Sequence, residues 1–254
     1  MKFLKLLLLL TSINLTAQSS RFKDNETLNV WAASGLNMRD KPDAKAAKVA
    51  TIPYGTKVTV QANIGIKIPF EVEEFKGFIV KGYWLLVKYG NTEGFVFDGF
   101  LSRLPAPKSN KREDTALEIY LEKEIGKIGT QYDYQIYDEV KDRYRMANPN
   151  EIVEQKEVRG YKQKFKNGIT YESYKADSGG KYKITISNST FFESYILMLV
   201  FFNTTNVEYN NLDKREFDKK KQILHLSPTE DGPGCFFDIS KIGNSLVIDG
   251  YCGC

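Results

Sequence analysis

GLNMRDKPDAKAAKVATIPYGTKVTV, Gly35 to Val60, and GYWLLVKYGNTEGFVFDGFLS, Gly82 to Ser102, decide the fold of the first part of this chain. Each is a set of short apolar runs broken by Gly, Pro, Asn and Asp. With the neighbouring TLNVWA at Thr27 to Ala32, the runs VATI, KVTV, FIVKGYWLLVKY and GFVFDGFL predict several short strands joined by tight turns. Strands this short protect their edges best by curling into a small barrel. Tyr83, Trp84, Tyr89, Phe95, Phe97 and Phe100 supply rings to fill such a barrel and to line a groove on it.

Particular residues in these two stretches go further. Gly35, Leu36, Asn37, Arg39 and Pro42 open the unit, Pro53 to Thr56 form a PYGT turn, Trp84 follows, and Gly94, Phe95, Val96 and Leu101 close it. The pattern resembles the bacterial SH3 domain, often called SH3b, over about residues 27–104. The resemblance implies an SH3-like β-barrel that binds cell-wall peptide or an envelope protein and does no chemistry itself. It makes Tyr54, Trp84, Phe95, Phe97 and Phe100 the candidate ligand-binding rings, with Trp84 and Phe100 foremost. For each ring the alternative is core packing. Two departures stand out. Phe95 occupies the place where the family's Gly-Trp-Val signature has tryptophan. IKIPFEVEEFKGFIVKG, Ile66 to Gly82, is longer than a minimal module needs and reads as an added hairpin or extended loop. Folded over the groove, that insertion would alter the family's mode of binding.

Upstream, Lys2 and Lys5 precede the leucines Leu6 to Leu10, and a small-residue stretch ends at LTAQSS. This layout predicts a signal peptide, residues 1–17, cut after Ala17, and therefore a periplasmic or secreted protein. The apolar core is too short to span a bilayer, so no stable membrane span is expected after cleavage. Loss of two lysines takes the formal charge from +4 to +2. A balanced surface with no dense basic block argues against nucleic acid as a partner. The nearest approach, DKREFDKKK at Asp213 to Lys221, interleaves acids and reads as a solvated helix or strand edge.

Downstream of the barrel, the Pro-rich and charged residues 105–113 predict a linker, and residues 114–254 a second domain. Thr115 and Glu118 form a capping box ahead of Leu117, Tyr120, Leu121, Ile125 and Ile128 at helical spacing. Asn167 and Gly168 lie between two strand-like runs and predict a hairpin. STFFESYILMLVFF, Ser189 to Phe202, has a second capping box at Thr190 and Glu193 and predicts a buried helix, with a buried strand as its rival. The class expected is thus mixed: a small SH3-like β-barrel followed by an α+β domain with a C-terminal β-hairpin.

That last hairpin can be read in register. Gly243 and Asn244 suit a two-residue type II′ turn, which sets Phe237 against Gly250, Ile239 against Ile248 and Cys235 against Cys252. An antiparallel pair at that position brings two cysteines within bridging distance. A Cys235–Cys252 disulfide is expected, with Cys254, on the same face, as the alternative partner of Cys235. The same register opposes Asp238 and Asp249, which is unfavourable unless the face is exposed or a cation lies near.

Catalytic patterns are missing. All three cysteines follow the one histidine, His225, the reverse of the order a Cys/His peptidase of the NlpC/P60 type needs. One histidine is too few for a zinc amidase, and no nucleophile elbow, phosphate loop or dinucleotide fingerprint occurs. His225 alternates with Ile223, Leu224 and Leu226 in a strand-like run and reads as structural. No enzyme activity, cofactor or metal is expected. Two rival readings remain: a carboxylate-based glycan hydrolase in the second domain, and a structural or inhibitory protein that grips a partner.

Overall fold

The computed structural model describes residues 21–61, 68–108, 116–136, 158–176, 179–202, 212–229 and 234–253. The expected signal peptide, most of the expected linker, Thr115 and Cys254 lie outside the described residues. The chain forms two antiparallel sheets.

The first sheet contains β1 (Thr27–Val30), β2 (Leu36–Arg39), β3 (Lys48–Ile52), β4 (Lys57–Val60), β5 (Pro69–Phe75), β6 (Phe78–Tyr89), β7 (Thr92–Phe97) and β8 (Leu101–Ser102). Its order is β3-β2-β7-β6-β4-β1-β8, with β5 paired to β6. The insertion is therefore a hairpin: Phe70 faces Gly82 and Val72 faces Val80. The long strand β6 serves β5 with its first half and β7 with its second. Gly82 stands at the crossing, where a Cβ would come within 2.2 Å of the Asp98 carboxylate. The short turn after β7 tucks that carboxylate beneath β6, where it accepts the Tyr83 N–H at 2.7 Å.

Leu28, Val30, Met38, Ile52, Val58, Val60, Leu85, Val87, Val96 and Leu101 are buried together inside this sheet. Its core is mostly aliphatic: among the described residues Phe22 is the one ring fully buried in it, and of the rings expected to fill it only Tyr89 and Phe100 pack against it. Trp31, Phe78 and Phe97 instead join a second core with residues beyond 116.

The second sheet runs β13-β14-β15-β16-β12-β11-β10-β9. Its strands are β9 (Lys127–Ile136), β10 (Val158–Phe165), β11 (Ile169–Ala176), β12 (Gly179–Ser187), β13 (Lys214–Asp218), β14 (Ile223–Ser227), β15 (Gly234–Ile242) and β16 (Ser245–Gly253). The charged run that begins at Asp213 supplies β13, the edge strand. Asn167 and Gly168 are both left-handed, at φ 58° and 68°, and turn β10 into β11 with a three-residue connection.

The terminal hairpin has the expected register, with Phe237 opposite Gly250, Ile239 opposite Ile248 and Cys235 opposite Cys252. A Cβ on Gly250 would come within 2.3 Å of the Phe237 ring, so glycine there makes room for the aromatic across the ladder. Cys235 and Cys252 form the disulfide. The opposed Asp238 and Asp249 are exposed, and each has a polar partner on the neighbouring strand: His225 Nδ1 lies 2.6 Å from Asp238, and Lys183 Nζ lies 3.9 Å from Asp249.

Two helical segments accompany this sheet. α1 (Ala116–Tyr120) passes into a π-helical turn, Leu121–Ile125, that stops at Gly126 with φ 89°. The single helix expected to continue through Ile128 is thus shorter: Ile128 belongs to β9 and is 50% exposed, because the left-handed Gly126 redirects the chain into the sheet. α2 (Phe191–Phe202) is the expected buried helix, packed on β15 and β16. Its capping box is reciprocal: the Glu193 carboxylate accepts the Thr190 N–H at 2.8 Å, and Thr190 Oγ1 accepts the Glu193 N–H at 3.2 Å. Glu193 is buried and also paired with Arg21, which ties the first described residue to α2.

The segment between the sheets is held at its start. Trp31 Nε1 donates to the Leu104 carbonyl at 3.1 Å, Tyr120 Oη to Pro105 at 2.7 Å, and Tyr54 Oη to Pro107 at 2.7 Å. These bonds fasten residues 104–107 against both regions.

Candidate ligand cleft

Where the first sheet meets α2, the two regions enclose a cleft of about 380 Å³. Its aromatic lining starts with the hairpin insertion. Phe70 packs on Trp84 with ring centroids 5.1 Å apart, and edge-on against Phe97 at 5.3 Å. Phe97 in turn meets Phe100 at 5.1 Å, and Phe100 meets Phe192 of α2 at 4.8 Å. Ile196, one turn on from Phe192, completes the helical wall. The loop after β1 contributes Ser34 and strand β2 contributes Asn37, while Arg39 and Glu74 bring charge to the lining.

Of the five rings expected to bind ligand, the structure brings three together here: Trp84, Phe97 and Phe100. Trp84 and Phe97 are themselves buried, so they present little more than an edge. Phe95 is half-buried on β7 opposite Arg39 and does not line the cleft. Tyr54 also lies apart, its ring against the shared core and its hydroxyl on Pro107; burial pushes that phenol up to about 12. Phe70, Glu74, Phe192 and Ile196 were not among the sequence candidates. Phe70 could have been found from the insertion, since a hairpin laid on β6 must place alternate residues over Trp84. Phe192 and Ile196 had no such signal, because α2 is apolar on every side and its contacts depend on the tertiary fold.

One buried carboxylate lies behind the cleft floor. Burial raises the Asp98 pKa to about 6, while the Tyr83 N–H and the positive charge of Arg21 act in the opposite direction. Its observed contacts are those of a brace for the turn between Phe97 and Leu101. Among the described residues no group of three or more His, Cys, Asp or Glu side chains is placed to hold a metal ion. Nor is any helix among them long and apolar enough to cross a membrane.

An aromatic, concave, largely apolar cleft of this kind on a mostly β chain is suited to taking a ligand. Residues 34–102 match the family model of the bacterial SH3 domain. The matched segment begins just before β2 and ends with β8, so it contains the insertion and the rings Trp84, Phe97 and Phe100. No curated protein and no solved structure matches the chain.

Proposed function

We propose that this chain is an exported, non-catalytic recognition protein of a bacterial envelope. Its SH3-like barrel, residues 27–104, presents the cleft to a cell-wall peptide or to an extended segment of an envelope protein. The second domain, residues 114–254, supplies the wall that deepens the cleft. The bacterial SH3 match over the segment that carries Trp84, Phe97 and Phe100 is the observation on which this reading rests. Bacterial SH3 domains are modules of cell-wall or protein binding, and the Cys235–Cys252 disulfide is compatible with an oxidising compartment outside the cytoplasm.

A blocking substitution tests the reading better than a deletion, since removing the buried Trp84 ring would unsettle the fold. Ala44 is exposed and lines the cleft, so Ala44→Trp closes it without removing a core side chain. Full-length protein should be retained on purified peptidoglycan or on an envelope-protein fraction without releasing wall fragments, and Ala44→Trp should lose that retention. Retention unchanged by Ala44→Trp would contradict the assignment of the cleft, and release of fragments would contradict a non-catalytic role.

A further inference from the structure

The cleft has an electrostatic asymmetry that its ring lining does not explain. Two ionisable side chains line it, Arg39 and Glu74, and they are not equally available. The Arg39 guanidinium is committed to its own loop, where it donates to the Ala46 carbonyl at 2.6 Å. Among the described residues Glu74 has no hydrogen-bond or ion-pair partner. Arg215 acts on it electrostatically, but that guanidinium is engaged by Tyr195 Oη at 2.8 Å and by the Leu212 carbonyl at 2.9 Å.

Glu74 lies near the tip of the hairpin insertion, on the strand that carries Phe70 and Val72 to the cleft. Its carboxylate therefore stands beside aromatic rings with its acceptor capacity unused. Partial burial raises its pKa, so the cleft holds the negative charge at a cost that a bound cation would relieve. An aliphatic stem can pack along the apolar lining of the cleft while its charged end reaches Glu74.

We propose that Glu74 makes this cleft selective for a peptide segment that carries a cationic side chain, with the ammonium beside the carboxylate and the stem over the rings. The inference rests on the peptide-binding reading above and adds the chemistry of the ligand. It also gives the hairpin insertion a function: β5 delivers both the ring that covers Trp84 and the charge that selects the ligand.

The test uses full-length protein and two fluorescently labelled peptides, Ala-Ala-Lys-Ala-Ala-Ala and the same peptide acetylated on the lysine Nε. Binding is followed by anisotropy at low ionic strength. The lysine form should bind about three- to tenfold more tightly than its acetylated twin, in line with one partly exposed charge-assisted contact. Glu74→Gln should erase that difference, and Ala44→Trp should weaken both peptides. A thermal melt of Glu74→Gln should match the parent, since the side chain is only partly covered and holds no hydrogen bond or ion pair among the described residues. Equal binding of the two peptides by the parent protein would overturn the selectivity and leave peptide binding standing. A lysine preference that survives Glu74→Gln would overturn the role of Glu74. If neither peptide nor any peptidoglycan fraction binds, the peptide-binding reading falls, and this inference with it.

Discussion

The two sheets are both antiparallel, but they bury different chemistry. Inside the first, the core is aliphatic apart from Phe22, with Leu28, Val30, Met38, Ile52, Val58, Val60, Leu85, Val87, Val96 and Leu101 among its buried residues. Between the first sheet and the second, the core is ring-rich, with Trp31, Phe78, Phe97, Tyr120, Phe165, Tyr171, Phe192, Tyr195, Phe201 and Phe237. Small aliphatic side chains suffice where strands already lie close together. Large rings span the wider gap between a sheet and a helix from another part of the chain, and their irregular shapes leave the cleft open beside them. The surplus of aromatics in the SH3-like segment therefore reports a junction more than a filled interior.

The largest effect is expected from a cut into the junction. Phe78 on β6 touches Tyr195 of α2 at 5.9 Å and Phe217 of β13 at 5.5 Å. Phe78→Ala should cost about 3 to 5 kcal/mol and shift one cooperative unfolding transition of the whole protein. Two separate transitions, of which only one moves, would show that the regions fold independently.

A smaller effect should be confined to the second sheet. Replacing both Cys235 and Cys252 by serine opens a bridge with a sequence separation of 17 and should cost about 3 kcal/mol in denaturant unfolding. The ligand cleft lies elsewhere, so peptide binding by the folded variant should be unchanged.

On the side of the first sheet, Asp98 is buried in the turn that follows β7. Its carboxyl titrates at about 6 in the folded protein against an ordinary 3.8. Between those values the folded state keeps a proton that the unfolded state has released, so stability from this group is greatest at low pH and falls as pH rises through about 6. The loss should reach about 2 to 3 kcal/mol, and Asp98→Asn should flatten that part of the stability profile while preserving an acceptor for Tyr83. An unaltered profile would mean that the carboxylate is not held in a low-dielectric site. Smallest of the set, Thr190→Ala removes one half of the α2 capping box and should cost about 1 kcal/mol in thermal unfolding.

These regions also differ in how much of them could be read from residues alone. Turn chemistry carried most of the reading. The Gly243-Asn244 turn fixed every cross-strand pair of the last hairpin, including the bridge, because register follows once the turn length is known. The Thr190 and Glu193 box marked where α2 begins, because its two hydrogen bonds are local. Spacing alone failed at Ile128, where a left-handed glycine ended the helix before the apolar pattern did. The cleft was half legible. Trp84, Phe97 and Phe100 lie in the segment with the recognisable motif, whereas Phe192 and Ile196 approach from far along the chain through contacts that no local pattern encodes.

The most direct test uses the two tryptophans. Trp84 lines the cleft, whereas Trp31 is fully buried with its indole N–H on the Leu104 carbonyl, so the two indole signals report the cleft and the fixed core separately. Nitrogen-15 NMR spectra of the full-length protein, recorded as soluble cell-wall peptides are added, should show the Trp84 indole resonance moving in a saturable way while that of Trp31 stays in place. Saturable binding that leaves Trp84 unmoved would contradict the assignment of this cleft as the ligand site.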